Sequence, residues 1–246
     1  MKSGTNHSRR AALGGPVFTA LALIVAVSSP AAASGLQVTP TRIDLDNEHP
    51  IAAMHLKNGS DREIGFEIEL AEWSQSGTGD RYAPTSDLLV SPPVFILPAG
   101  EEQVIRVGLR KSPADGIESS YRLFIQELPD EDASTVNGLR MLVRLSLPVF
   151  VRRAEFEPRP ALQWRLEQSP DHAPELVVAN AGDGHAKVTD LELSEPAEAS
   201  VRADMFYVLP GATHRIPIDG PTGALDSARV EARVNGQAIE ARPRAD

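Results

Sequence analysis

The sequence predicts an all-β protein of two sandwiches, and three observations carry that expectation. Short runs of alternating apolar and polar residues recur along the chain, bounded by Gly, Pro, Asn and Asp. No segment sustains a helical period, and 20 prolines disfavour long helices. The run Leu139 to Val151 places an apolar side chain at every odd position: Leu139, Met141, Val143, Leu145, Leu147, Val149 and Val151.

The elements follow in order. Leu36 and Val38 share one parity, Pro40-Thr41 interrupts, and Ile43 and Leu45 take the other. This phase slip predicts a bulge at which the first strand passes from one sheet to the other, with Arg42 beside the kink. Ala52, Met54 and Leu56 alternate up to the turn Asn58-Gly59-Ser60; Ile64, Phe66, Ile68 and Leu70 alternate after it, with Glu67 and Glu69 facing water. The two runs are expected to form a hairpin. Asn58-Gly59-Ser60 also fits a glycosylation sequon, but a turn explains it better. Ile105, Val107 and Leu109 form a strand after the turn Pro98-Ala99-Gly100, and Tyr121, Leu123 and Ile125 form the strand before the long run.

Thirteen residues of strand at about 3.3 Å each would extend roughly 43 Å, about twice an ordinary strand. Two readings are open. The strand overruns its own sandwich and offers its apolar face to another molecule, or it is a long core strand whose far end a loop covers.

Charge and proline in Arg152-Arg153-Ala154-Glu155-Phe156-Glu157-Pro158-Arg159-Pro160 end the alternation and mark a boundary. Weaker strands follow at Glu175 to Ala179, Val188 to Leu193, Met205 to Val208 and Ala228 to Val234, with turns at Pro210-Gly211 and Asn235-Gly236. The expected organisation is a first domain over 34–152, a linker over 153–160 and a smaller sandwich over 161–246.

Residues 1–33 read as a signal peptide: Lys2, Arg9 and Arg10 give a positive start, Val17 to Val27 is apolar, and Ala31-Ala32-Ala33 offers a cleavage site. Ser8-Arg9-Arg10 is an incomplete twin-arginine motif, so the general secretory route is expected. No later stretch has the length of apolar residues that a membrane span needs. The expected product is soluble and exported. The formal net charge of −10 already argues against nucleic acid, and three of the positive charges lie in the leader. Zero cysteines exclude disulfides and thiol chemistry.

Enzymatic motifs are missing: no G-x-S-x-G, no H-E-x-x-H, no phosphate-binding glycine loop. The six histidines are scattered, with no two at metal-ligand spacing. Neither catalysis, a cofactor nor a metal is expected.

Several segments together resemble one family, the periplasmic chaperones of pilus assembly (PapD-like, of the chaperone–usher type). They are Val38-Thr39-Pro40-Thr41-Arg42, Ser91-Pro92-Pro93-Val94 with Leu97-Pro98-Ala99-Gly100, Glu118-Ser119-Ser120-Tyr121 leading to Glu127-Leu128-Pro129, and the terminal Val149-Phe150-Val151-Arg152. They fall in the family's order across residues 36 to 152; the second domain is similar only in size and β-character.

The resemblance implies two immunoglobulin-like β-sandwich domains in a boomerang arrangement. It also implies a periplasmic chaperone that binds pilus or fimbrial subunits by donor-strand complementation and delivers them to an outer-membrane usher. The matching donor residues are Leu139, Met141 and Val143. The family holds the subunit's terminal carboxylate with two basic residues; Arg42 matches the first, but Pro148 stands where the family has a lysine. Arg122, opposite Pro148 if the two strands pair, either replaces the missing charge or is a solvated arginine on the outer face. Glu118 and Arg152 correspond to members of an interdomain salt-bridge cluster, with Asp219 or Asp226 as the acid from the second domain. The missing lysine and the short connection Asp130 to Gly138 look like the archaic branch of the family. An empty donor strand is an aggregation hazard, so a self-capped dimer is expected without client.

The competing reading is a secreted two-domain adhesion or carbohydrate-binding module on the same fold. Such a module should cluster aromatics in its loops, yet aromatics are 5% of the chain, and Trp73 and Trp164 sit in strand-like segments as expected core residues.

Overall fold

The computed structural model describes residues 35–77, 79–129, 141–169, 172–195, 199–201, 203–220 and 228–245. The expected leader, Leu139 and Asp226 lie outside the described residues.

The first ten strands are β1 (Leu36–Thr39), β2 (Ile43–Leu45), β3 (Ile51–Asn58), β4 (Ile64–Ser76), β5 (Gly79–Pro84), β6 (Leu88–Ser91), β7 (Val94–Leu97), β8 (Glu102–Leu109), β9 (Ser119–Glu127) and β10 (Arg144–Val151). They form one sheet in the order β1-β3-β8-β6 and a second in the order β2-β10-β9-β4-β5, with β7 also on β4. The phase slip in the first strand is the sheet switch expected: β1 pairs with β3 in one sheet and β2 with β10 in the other. Met54, Leu56, Ile105 and Val107 from the first sheet meet Ile43, Phe66, Leu123, Ile125 and Val149 from the second in one buried core. Each such side chain contributes about 1.5–3 kcal/mol.

The expected hairpin of β3 with β4 does not form, because the two strands lie in opposite sheets and face each other across the core. Asn58 makes the crossing. Fully buried, its Nδ2 donates to the carbonyls of Arg62, Leu97 and Pro98, and its Oδ1 accepts from the backbone N–H and hydroxyl of Ser60. An asparagine so enclosed is a structural device and has no room for a glycan.

The remaining strands are β11 (Leu162–Ser169), β12 (His172–Asn180), β13 (Ala186–Glu195), β14 (Ser200–Val201), β15 (Phe206–Val208), β16 (Thr213–Asp219), β17 (Arg229–Val234), β18 (Gln237–Ala241) and β19 (Arg244–Ala245). They form the sheets β14-β16-β12-β11-β19 and β15-β13-β17-β18. Asn235 and Gly236 both adopt positive φ and close the two-residue turn between β17 and β18, as their sequence predicts. Trp164, Leu176, Val178, Val188, Val208 and Val230 are among the buried residues of this core.

Two residues of the first sandwich, Trp73 and Phe150, pack in that second core. Their burial explains a break in the pattern of β4. Even positions face the first core as far as Leu70, whereas Ala71 and Trp73, on the outer face, are buried as well. The chain between β10 and β11 is also docked: Gly182 and Gly184 lie so close to Pro158, Arg159 and Ala161 that a Cβ at either would overlap their backbone.

Candidate functional site: a free strand edge and its interdomain cleft

The long strand is shorter than its periodicity predicts. β10 begins at Arg144, so the ladder covers eight residues rather than thirteen, and Met141 to Val143 are irregular. Its partner stops at the same place: β9 ends at Glu127, the residue opposite Val143, and is followed by Leu128-Pro129. Within β10 the odd residues do face the first core, Val149 and Val151 fully and Leu145 and Leu147 partly. Ahead of it, Met141 is 80% exposed and Val143 40%.

The two edges of β10 differ. On one side β9 pairs with all of Arg144 to Val151, whereas on the other β2 pairs, in parallel, only with Val149, Phe150 and Val151. Glu127 N–H donates to the Val143 carbonyl, so the odd residues of β10 bond to β9 and the backbone of Arg144, Ser146 and Pro148 points to the open side. Among the described residues no strand fills that side. Pro148 contributes a carbonyl but no N–H there, which an edge strand tolerates.

Arg42 immediately precedes β2, where the open edge ends. Its Nε donates to Asp44 Oδ2 at 2.8 Å, and both side chains are about half exposed. Arg42, Arg152 and Arg159 line one open cleft of about 590 Å³ together with Asp44, Glu118 and His185. Arg122 lies in register with Pro148 as the strand pairing predicts, but it does not line this cleft. Its guanidinium carbon sits 3.7 Å from the centre of the Trp73 ring and 5.4 Å from that of Tyr207, and burial lowers its pKa. Burial raises the pKa of the Tyr207 phenol, with Arg122 and Arg42 pulling it down and Asp44 adding to the rise.

Glu118 joins the two sandwiches through a partner that differs from the acids expected. Its Oε1 accepts from the His185 backbone N–H at 3.0 Å and lies 2.6 Å from His185 Nδ1. Arg152 takes no part in that pair; its Nη1 donates to the carbonyls of Arg153, Ala154 and Phe156, because the chain after β10 curls around it. Asp219 closes β16 opposite Ser200. Gln75 makes a further interdomain link: its amide nitrogen donates to the Tyr207 carbonyl and its oxygen accepts from Leu209 N–H, both at 2.9 Å.

Sequence reasoning missed His185 and Gln75. The off-phase Ala71 and Trp73 were the signal for Gln75's neighbourhood, since they announce a second buried face on β4. His185 left no signal, being a lone histidine in a glycine-rich loop.

Fold and site together define a protein of two immunoglobulin-like sandwiches with, among the described residues, one strand edge left unfilled beside a cleft lined by Arg42, Arg152 and Arg159 and by the carboxylates of Asp44, Glu118 and Glu157. Residues 35–156 match the pili and flagellar-assembly chaperones, PapD N-terminal domain, and through that domain the chain belongs to the pilus-assembly chaperone family. A probable fimbrial chaperone, LpfB, of Escherichia coli O157:H7 is 26% identical over 140 residues, which span 56% of this chain and 58% of the relative. The chaperone fold recurs in the CsuC–CsuE chaperone–tip adhesion subunit complex from the archaic chaperone–usher Csu pili of Acinetobacter baumannii, with TM-score 0.69 and 23% identity over 86% of this chain and 99% of that one. It recurs in the complex of Salmonella enterica SafA pilin with the SafB chaperone, with TM-score 0.59 and 16% identity over 85% and 94% of the two chains.

Proposed function

We propose that this protein is a periplasmic chaperone for subunits of a surface fibre, which it holds by adding its own strand to their incomplete sandwich before delivery to an outer-membrane usher. The observation that carries this reading is the open edge of β10, which presents backbone groups from Arg144 to Pro148 and leads directly from the exposed Met141 and Val143. A client strand on this edge completes a ladder with β10, while Leu139, Met141 and Val143 enter the client's core. Burying apolar side chains of this size contributes about 1.5–3 kcal/mol each before ordering costs.

β2 runs parallel to β10 and begins where the open edge stops. A client strand laid end to end with β2 in the same direction brings its carboxyl terminus to Arg42. Arg42 binds that carboxylate, and Arg122, one strand away, supplies the positive field that a lysine at position 148 would otherwise give. Glu118, through His185, holds the second sandwich beside the same cleft, while Arg152 fixes the chain that leaves β10. Without client, the same edge pairs with a second copy of the chain in a self-capped dimer.

The test is a pull-down of the tagged protein from the periplasm of its native host, wild type against a Leu139→Glu, Met141→Glu, Val143→Glu variant. The reading expects the wild type alone to carry a small β-rich secreted subunit in roughly one-to-one amounts. Equal partners on both proteins, or none on either, would overturn it. Arg42→Ala and Arg122→Ala in the same assay test the anchor; if Arg122→Ala captures as well as wild type, Arg42 acts without it.

A further inference from the structure

We propose that Glu127 is a positioning residue that sets where the donated segment leaves the body of the protein and which way its side chains point; this rests on the strand-donation reading. Arg144 is in register with Gln126, which makes Val143 and Glu127 the next rung of the ladder. In a regular antiparallel pair that rung carries two backbone bonds. Here it has one, from Glu127 N–H to the Val143 carbonyl at 2.9 Å. The other is made by a side chain: Val143 N–H donates to Glu127 Oε2 at 3.3 Å, while the Glu127 carbonyl accepts from Gln126 Nε2.

This carboxylate is held from behind. Glu127 is 3% exposed, and its Oε1 accepts from Arg62 Nη2, on the connection between β3 and β4, at 2.6 Å. Leu128, next along, bonds on the opposite edge of β9, donating its N–H to the Gly65 carbonyl and packing where a Cβ on Gly65 would stand 3.4 Å away. The last fixed point of the donor segment is therefore Val143, with both backbone groups taken by one residue tied into the core. Leu142 and Met141 run on from it exposed.

Fixing Val143 fixes parity. Side chains alternate along a strand, so a slip of one residue would turn Met141 away from the client core and bring Leu142 in. A buried carboxylate pinned by Arg62 prevents the slip without requiring β9 to be longer.

The test compares wild type, Glu127→Gln and Glu127→Ala by amide exchange in client-free protein and by the rate of capturing the subunit that co-purifies with the wild type. In Glu127→Ala, Val143 should exchange roughly ten-fold faster, as expected for one lost hydrogen bond, while the amides of Leu145 and Leu147 stay protected. Capture should slow by a similar factor, and Glu127→Gln, which keeps an acceptor for Val143, should recover most of both. Unchanged Val143 exchange in Glu127→Ala would overturn the proposal. So would a uniform rise along β9 and β10, the mark of a merely structural role, or faster Val143 exchange with capture unchanged. If the wild type captures no subunit, strand donation fails, and the exchange comparison still decides whether Glu127 pins Val143.

Discussion

The imidazole of His185 lies flat on the ring of Phe150, centroids 3.6 Å apart and planes parallel, while its Nδ1 faces Glu118 Oε1 at 2.6 Å. Phe150 and Glu118 belong to the first sandwich and His185 to the second, so the stack and the hydrogen bonds fasten the two together. All three are buried. Removing the carboxylate strands two donors, the ring N–H and the His185 backbone N–H. Glu118→Ala should therefore cost on the order of 3 kcal/mol in denaturant unfolding, and Glu118→Gln distinctly less, because an acceptor remains.

Gly182 admits the backbone of Arg159 to Ala161 against the second sandwich. A methyl group there has no space, and the atoms it would meet are backbone rather than the ends of flexible side chains. Gly182→Ala should destabilise by about 1–3 kcal/mol, read from the urea midpoint. Gly35→Ala, with nothing near its Cβ position, serves as the neutral control.

His214 stacks on Phe206 with centroids 4.3 Å apart, and burial lowers its pKa against the opposing attraction of Asp80. Folding then favours the neutral ring, so the unfolded chain binds more protons over the window between the depressed value and the ordinary one near about 6.5. The stability His214 allows is complete above that ordinary value and is lost as pH falls below it. A His214→Gln variant should show a shallower loss of stability than wild type between about pH 6.5 and 5, with the two profiles parallel above it. Profiles that are parallel throughout would refute the assignment.

Asn58 and Asn180 should prove to be equivalent anchors. Asn180 Nδ2 donates to the carbonyls of Gly184 and Val208, its Oδ1 accepts from Ala161 and Gly182 N–H, and its carbonyl accepts from Gly211 as that of Asn58 does from Gly100. Gly100 and Gly211 both hold positive φ. Replacing either asparagine with alanine leaves buried carbonyls without a donor and should cost about 2–3 kcal/mol, measured by thermal or urea unfolding.

These paired asparagines show what the sequence makes legible and what it hides. Alternation located most strands of the first sandwich, the switch between β1 and β2, and the register that sets Arg122 opposite Pro148, because each depends on neighbours in the chain or on parity. It misplaced the partner of β3, since a turn sequence does not say whether the chain returns beside itself or crosses the core. It overextended β10, because apolar alternation continues past Val143 although β9 does not. The shared anchor in both domains went unread: Asn58 and Asn180 are distant in sequence from the carbonyls they bind, at Leu97 and Pro98 for the first and at Val208 for the second. In the cleft, the positions of Arg42 and Glu118 were legible through their motifs, whereas Arg152, expected in the interdomain pair, bonds instead to the chain that follows it. His185 was not legible, because its role comes from Phe150 and Glu118, which only the folded chain brings to it.

The way β2 meets β10 makes the open edge a blind alley. A guest strand can enter beside Arg144 and advance as far as Pro148, but there the lane is already occupied by Ile43, and the last position offers no N–H. On the strand-donation reading, a segment from the middle of a polypeptide would have to swerve out of the sheet, whereas a chain that ends at this point fits without bending. The chaperone would then recognise that its guest stops, independently of the side chains the guest carries, and a few residues added to a guest's carboxyl end should turn it away.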